Sequence, residues 1–98
     1  MPEISIVAPA YNEEACIEGV VRSWLEMLDR HGLDGEIVVA NDGSIDRTGE
    51  LLDSLSDSDG RVQSVNLPRN RGYGLALQTA LGRARAPWIA TMDSDGQF

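Results

Sequence analysis

Asp93 and Asp95 stand two residues apart just behind a short apolar run, and residues at that spacing on an extended chain point the same way. Two carboxylates presented together suit a hard divalent cation such as Mg2+ or Mn2+, which takes oxygen ligands, keeps several waters and bridges to phosphate oxygens. A cation held there would stabilise a departing diphosphate as negative charge develops on it. In isolation an Asp-x-Asp-Gly string reads more readily as a turn, because Asp and Gly are ordinary turn residues. Its position after a strand favours the metal reading.

Three other polar segments follow apolar runs in the same way. In Pro9-Ala10-Tyr11-Asn12-Glu13-Glu14, the Tyr11 ring can stack on a base or stand as an exposed turn residue. Glu13 and Glu14 suit the positive end of a helix dipole, and one of them can instead reach a sugar hydroxyl. In Asn41-Asp42-Gly43-Ser44-Ile45-Asp46, Asp42 can accept a hydrogen bond from a nucleobase or ribose, cap the following helix, or shape the turn. In Pro68-Arg69-Asn70-Arg71-Gly72-Tyr73-Gly74, the guanidinium groups of Arg69 and Arg71 can meet phosphate or remain solvated surface charge. His31 and Cys16 read as a helix-end residue and a small packing residue.

These segments need a scaffold, and the apolar pattern supplies one. Short continuous runs at Ile4–Ala8, Glu36–Ala40, Arg61–Leu67 and Trp88–Met92 read as strands buried on both faces and covered by helices. Between them lie amphipathic stretches. Glu13–His31 reads as a helix with Ile17, Val20, Val21, Trp24, Leu25 and Leu28 on one stripe, capped by Asn12 and ended by Gly32. Asp46–Leu55 reads as a second helix with Leu51, Leu52 and Leu55 inward, closed by a turn at Asp57-Ser58-Asp59-Gly60. Arg71–Arg85 reads as a third, with Tyr73, Leu77, Ala80, Leu81 and Ala84 inward and Gly74, Ala76 and Gly82 keeping it thin. The expected fold class is therefore α/β, a Rossmann-like parallel sheet of alternating βα units. In such sheets ligands bind outside the carboxyl ends of the strands, where all four polar segments fall. The last strand is expected to lack a partner, and that unpaired edge would favour a homo-oligomer.

The 98 residues have room for one domain, and 42% hydrophobic with 24% charged residues is ordinary for a globular chain. A net charge of -8 argues against nucleic-acid binding by phosphate neutralisation. An anionic ligand would need a cation to bring it in. The lone Cys16 excludes an internal disulfide and a cysteine-rich zinc site, which fits a reducing compartment. No run approaches the length of a membrane span, so a cytoplasmic location is expected, a longer parent being free to sit at the cytoplasmic face of a membrane.

Taken in order and spacing, the four segments together resemble family 2 glycosyltransferases, most closely the polyprenyl-phosphate (dolichol-phosphate) mannosyl- and glucosyltransferase branch. The resemblance runs over essentially the whole chain. It implies the GT-A fold, of which residues 1–98 would be the N-terminal nucleotide-sugar-binding part, stopping after the Asp93–Asp95 motif. The residues matching the family's nucleotide-sugar site are Pro9, Tyr11, Glu13, Asp42, Arg71 and Asp93, with Tyr11 and Asp42 at the base and Glu13 at the ribose. Asp93 and Asp95 match the motif that holds the diphosphate through Mg2+ or Mn2+. Asn41 departs from the frequent Asp-Asp-Gly-Ser form, a difference expected to matter little because Asp42 is kept.

The activity so implied is inverting transfer of a hexose from a GDP- or UDP-sugar to an acceptor such as a polyprenyl phosphate. The general base and acceptor site would lie outside this chain, so donor and metal binding without efficient turnover is expected. Two other readings stay open: a fragment serving only as an oligomerising or interaction module, and a dinucleotide-binding oxidoreductase domain. The second is weakened by the absence of glycine between Ala8 and Glu14, where a G-x-G-x-x-G turn would stand.

Overall fold

A computed structural model describes residues 1–94. Its elements are β1 (Ile4–Ala10), α1 (Ile17–Arg30), β2 (Gly35–Asn41), α2 (Thr48–Ser58), β3 (Val62–Asn66), α3 (Tyr73–Arg83) and β4 (Trp88–Thr91). The strands form one parallel sheet in the order β3-β2-β1-β4. The alternating α/β architecture expected from the sequence is the one observed.

Side-chain alternation divides the core in two. Ile6, Ala8, Ile37 and Val39 face α1 and α2, while Val7, Val38 and Ala40 face α3. All of these are fully buried, which is why β1 and β2 are apolar on both faces. The chain steps from β1 to β2 to β3 with its helices on one face, then reverses to β4 with α3 on the other. A constant crossover hand requires that switch of face. The reversal leaves a crevice between the carboxyl ends of β1 and β4, the usual place for a ligand in an open α/β sheet.

The α1 stripe is buried as its spacing predicts. Its end is a Schellman motif: Gly32 at φ 62 donates to the Asp29 carbonyl, and Leu33 donates to that of Leu28. Its start differs from expectation. Asn12 does not cap it, because Asn12 sits at φ 51 and bonds across to the β2–α2 loop, so the helix begins only at Ile17 after a turn closed on the Glu13 carbonyl. The second helix includes Asp57 and Ser58, which were expected in the turn. There Asp59 takes the guanidinium of Arg61, which also reaches Asp29 and ties the end of α1 to the α2–β3 turn. The Asp59 carboxyl is lowered chiefly by that Arg61 bond, which outweighs the opposite effect of burial.

The third helix buries only Ala76 and Ala80, so it lies close against β1 and β2. Tyr73, expected inward, is exposed. β4 pairs with β1 through Ile4↔Trp88 to Val7↔Thr91. It is therefore not partnerless as expected; no described strand lies on its outer side, where Trp88 is 73% exposed.

At the amino ends of the strands a buried carboxylate joins three elements. Glu36 accepts from the Ser5 hydroxyl (2.6 Å), the Arg85 N–H (2.7 Å) and the Arg85 Nε (3.0 Å). The N–H of Ala86 donates in turn to Ser5 Oγ, so the α3–β4 link is fixed from below, and α3 ends at Arg83. Burial pushes the Glu36 carboxyl up, but the hydrogen bonds from Ser5 and Arg85, with the charge of Arg85, outweigh it and hold the carboxyl below its ordinary 4.5. A depressed folded-state value means that the stabilisation is complete above the unfolded value and is lost as pH falls through the folded one. Glu36→Gln should therefore lower stability at pH 7 by about 1.5–3 kcal/mol. Urea unfolding at stepwise lower pH should show the gap to the unaltered chain closing below 4.5; a gap independent of pH would refute the assignment.

Candidate functional site

The carboxyl ends of the strands carry loops that are bonded to one another more than to themselves. Asp42, directly after β2, is 3% exposed, and its own N–H donates to the Ala10 carbonyl at 2.8 Å, tying the ends of β1 and β2 together. Its carboxylate then accepts the backbone N–H groups of Arg71 (2.7 Å) and Gly72 (3.0 Å). Bonds from an N–H to a charged oxygen are each worth about 1.5–3 kcal/mol. Gly72 is at φ 98, outside the helical region, so α3 begins at Tyr73 rather than at Arg71 as expected.

Gly43 makes this approach sterically feasible. It sits at φ 70, and a Cβ there would lie 2.2 Å from the Arg69 carbonyl carbon and 2.3 Å from the Asn70 nitrogen. Only glycine lets the β3–α3 loop cross the β2–α2 turn so closely. Asn41 supports the same crossing. It is 6% exposed, its Oδ1 accepts from the Ser44 N–H, and its Nδ2 donates to Asn66, whose own amide donates to Asp53. The asparagine thus supplies a donor that an aspartate in its place would lack.

The β1–α1 loop is stitched to the β2–α2 loop by four bonds. Asn12 donates its N–H to Ser44 Oγ and accepts the Ile45 N–H on its side chain. Glu13 donates its N–H to Thr48 Oγ1, and Glu14 its N–H to Asp46. Asp46 also accepts from the hydroxyl and N–H of Thr48. For the Asp46 carboxyl, partial burial raises the value, and the bonds from Thr48 and Glu14 more than reverse it, keeping it ionised below its ordinary 3.8.

β4 delivers the fourth loop. Met92 donates its N–H to the Val7 carbonyl, and buried Ser94 donates its hydroxyl to the Pro9 carbonyl at 2.9 Å, so the backbone on both sides of Asp93 is anchored to β1. The Tyr73 hydroxyl donates to Asp93 Oδ1 at 3.1 Å.

Between these loops lies a cavity of about 370 Å³, open to solvent. Pro9, Ala10, Tyr11 and Glu13 form its β1 side, Asp42 its floor, Asn70, Gly72 and Tyr73 its α3 side, and Asp93 and Ser94 its β4 side. The structure thus brings Pro9, Tyr11, Glu13, Asp42 and Asp93 to one cavity. Arg71 is close through its backbone bond to Asp42, while its side chain is exposed and off the wall. Asp95 lies outside the described residues. Tyr73, Asn70 and Ser94 line the cavity without having been singled out. Tyr73 had been placed on a helical stripe, although its position one residue after a helix-breaking glycine was a signal that it stands at the helix mouth.

The lining of this cavity is acidic, with Glu13, Asp42 and Asp93 among its residues. The Oδ1 of Asp93 is engaged by Tyr73, and no described residue donates to its Oδ2, which can therefore serve as a cation ligand. Among the described residues no cluster of three or more His, Cys, Asp or Glu forms a metal cage. A Mg2+- or Mn2+-type ion is bound through one or two carboxylates together with phosphate oxygens. Exposed Arg69 and Arg71 form no ion pair among the described residues and stand beside the same loop.

Comparison with known proteins places these features in a family context. The family description Glycosyl transferase family 2 matches residues 5–98. Succinoglycan biosynthesis protein ExoO of Rhizobium meliloti is 38% identical over 97% of this chain and 26% of its own length. A dolichyl-phosphate beta-glucosyltransferase of Trichomonas vaginalis, ALG5D, is 33% identical over 95% of this chain and 30% of its own. Among solved structures, a mannosyltransferase from Pyrobaculum calidifontis in complex with GDP-Man and Mn2+ superposes with a TM-score of 0.82 at 27% identity, over 96% of this chain and 28% of its own. The chain thus spans about a quarter to a third of the length of these proteins.

Gly43→Ala tests the architecture of the site. The added Cβ meets backbone on both Arg69 and Asn70, so the loops must separate. Stability should fall by at least about 1–3 kcal/mol from the positive φ alone, and amide exchange at Arg71 and Gly72 should accelerate. Unchanged protection at those two amides would contradict the crossing described.

Proposed function

The chain belongs to glycosyl transferase family 2, and from that premise we propose that it binds the nucleoside diphosphate of an activated sugar in the cavity at the carboxyl ends of its strands. The observation that carries this reading is the convergence of Tyr11, Asp42 and Asp93, from three different strand ends, on one cavity at the β1/β4 switch point. Base stacking, polar recognition and a cation ligand are then within one ligand's reach.

In this reading Tyr11, which is 43% exposed, offers its ring to the base. The carboxylate of Asp42 accepts the N–H groups of Arg71 and Gly72, one on each oxygen, and each oxygen keeps a further lone pair for a donor on the base or ribose. Glu13 stands beside them for the ribose, and Pro9 closes the wall below. Arg71 and its neighbour Arg69 reach the phosphates from solvent. Asp93 and Asp95 would hold Mg2+ or Mn2+, which when bound offsets the diphosphate's charge. Without such an ion, an acidic wall in a chain of net charge -8 would repel a diphosphate.

We further propose that the activity of the whole protein is inverting transfer of a hexose from a GDP- or UDP-sugar, with a polyprenyl phosphate as acceptor. The similarity to a dolichyl-phosphate beta-glucosyltransferase supports that acceptor class, and the likeness to a mannosyltransferase in complex with GDP-Man and Mn2+ supports the donor and metal classes. Such an acceptor would bring the protein to a membrane surface. No described helix is long and apolar enough to cross a membrane, so that contact would be made by another part of the protein or at the surface alone. The 98 residues supply donor recognition, and on this reading turnover by them alone is negligible.

Isothermal titration of a GDP- or UDP-sugar into the chain tests the proposal. Affinity should fall by more than about tenfold on adding EDTA, and equally in Asp95→Ala. Binding indifferent to both would remove the metal role, and no binding with Mn2+ present would remove the donor site.

A further inference from the structure

Tyr73 is the side chain of the cavity that the sequence reading spent on packing, and its actual placement is different. It is 58% exposed at the first residue of α3, lines the cavity, and donates its hydroxyl to Asp93 Oδ1 at 3.1 Å. Its main chain directly follows the two N–H groups held by Asp42. The ring is therefore carried directly after the part of the loop that is tied to Asp42. Asp93, by contrast, is exposed, and its carboxylate takes no other hydrogen bond from the described residues. Its backbone is fixed by Met92 and Ser94, and among the described residues its side chain is held by Tyr73.

We propose that Tyr73 is a positioning residue for the cation site: by engaging Oδ1 it turns Oδ2 of Asp93 toward the cavity and limits that carboxylate to one-oxygen coordination. The inference rests on the metal role proposed above for Asp93. Metal-ligating carboxylates are commonly held by a hydrogen bond of this kind, and loss of the holding group weakens metal binding rather than abolishing it. A hydroxyl suits the task because it donates to the oxygen that faces away from the ion and carries no charge to compete with it. The arrangement also links two ends of the site. Asp42 fixes the loop, the loop fixes Tyr73, and Tyr73 orients the ligand on β4.

The test is a titration of Mn2+ into the chain in the presence of GDP, followed by electron paramagnetic resonance of the free ion, for the unaltered protein, Tyr73→Phe and Asp93→Asn. Tyr73→Phe keeps the ring and should weaken Mn2+ binding about tenfold, leaving thermal unfolding and metal-free GDP affinity unchanged. Asp93→Asn should abolish the bound fraction. If Asp93→Asn lowers Mn2+ affinity and Tyr73→Phe matches or exceeds the unaltered chain, the positioning role is overturned while the metal site stands. If Asp93→Asn has no effect, or the unaltered chain binds no Mn2+, the metal reading itself falls. A Tyr73→Phe loss accompanied by an equal loss of metal-free GDP affinity would assign the tyrosine to the nucleotide and overturn the proposal as well.

Discussion

The carboxylate of Asp42 is the constraint on which the candidate site depends. It is buried at the rim of the sheet, where an unpaired charge would be costly, so its two oxygens must find donors. The donors are the N–H groups of Arg71 and Gly72, which belong to a different loop. Satisfying the charge therefore pulls the β3–α3 loop over the end of β2. Gly43 removes the Cβ that would prevent it, Gly72 adopts the backbone needed to present both donors, and α3 begins where the clamp ends. One desolvated charge thus determines the start of a helix and one wall of a cavity.

The opposite end of the sheet obeys the same logic with a different outcome. Glu36 is equally buried, and its donors come from Ser5 on β1 and Arg85 at the exit of α3. There the bonds join β1, β2 and the exit of α3, so Glu36 ties the fold together. At the Asp42 end the bonded groups surround a space, and Glu13 and Asp93 also line it. The division follows from strand direction: in a parallel sheet every loop that leaves a strand emerges at the same rim.

Much of this was legible in the residues. The continuous apolar runs of β1 and β2 and the α1 stripe are each a regular pattern read by burial alone, and all of them are buried as their spacing indicates. The gathering of Tyr11, Glu13, Asp42 and Asp93 followed from each standing shortly after a strand, whereas Pro9, expected beyond the first strand, lies within the last residues of β1. Helix starts were less legible, because they depend on contacts distant in sequence. Asn12 has the composition of a cap, yet it bonds residues 44 and 45; Arg71 has the place of a first helical residue, yet Gly72 after it sits at φ 98. Tyr73 was misread for the related reason that an aromatic residue at helical spacing looks like core. It took the position of β4, on the far side of β1, to bring Asp93 within reach of its hydroxyl. Asn41 shows the same limit: the donor it offers Asn66 is invisible until β2 and β3 are paired.

The central claim is that four strand-end loops, closed by Asp42, surround one site for a nucleoside diphosphate with its cation. Paramagnetic broadening in the amide spectrum of the isotopically labelled chain, on adding GDP with substoichiometric Mn2+, reads the location of that site directly. The account predicts selective loss of the signals of Tyr11, Asp42, Gly72 and Asp93, with those of Ser5, Glu36 and Arg85 at the opposite rim retained. Broadening centred on the acidic turn around Asp57 and Asp59, or spread evenly over the surface, would contradict it.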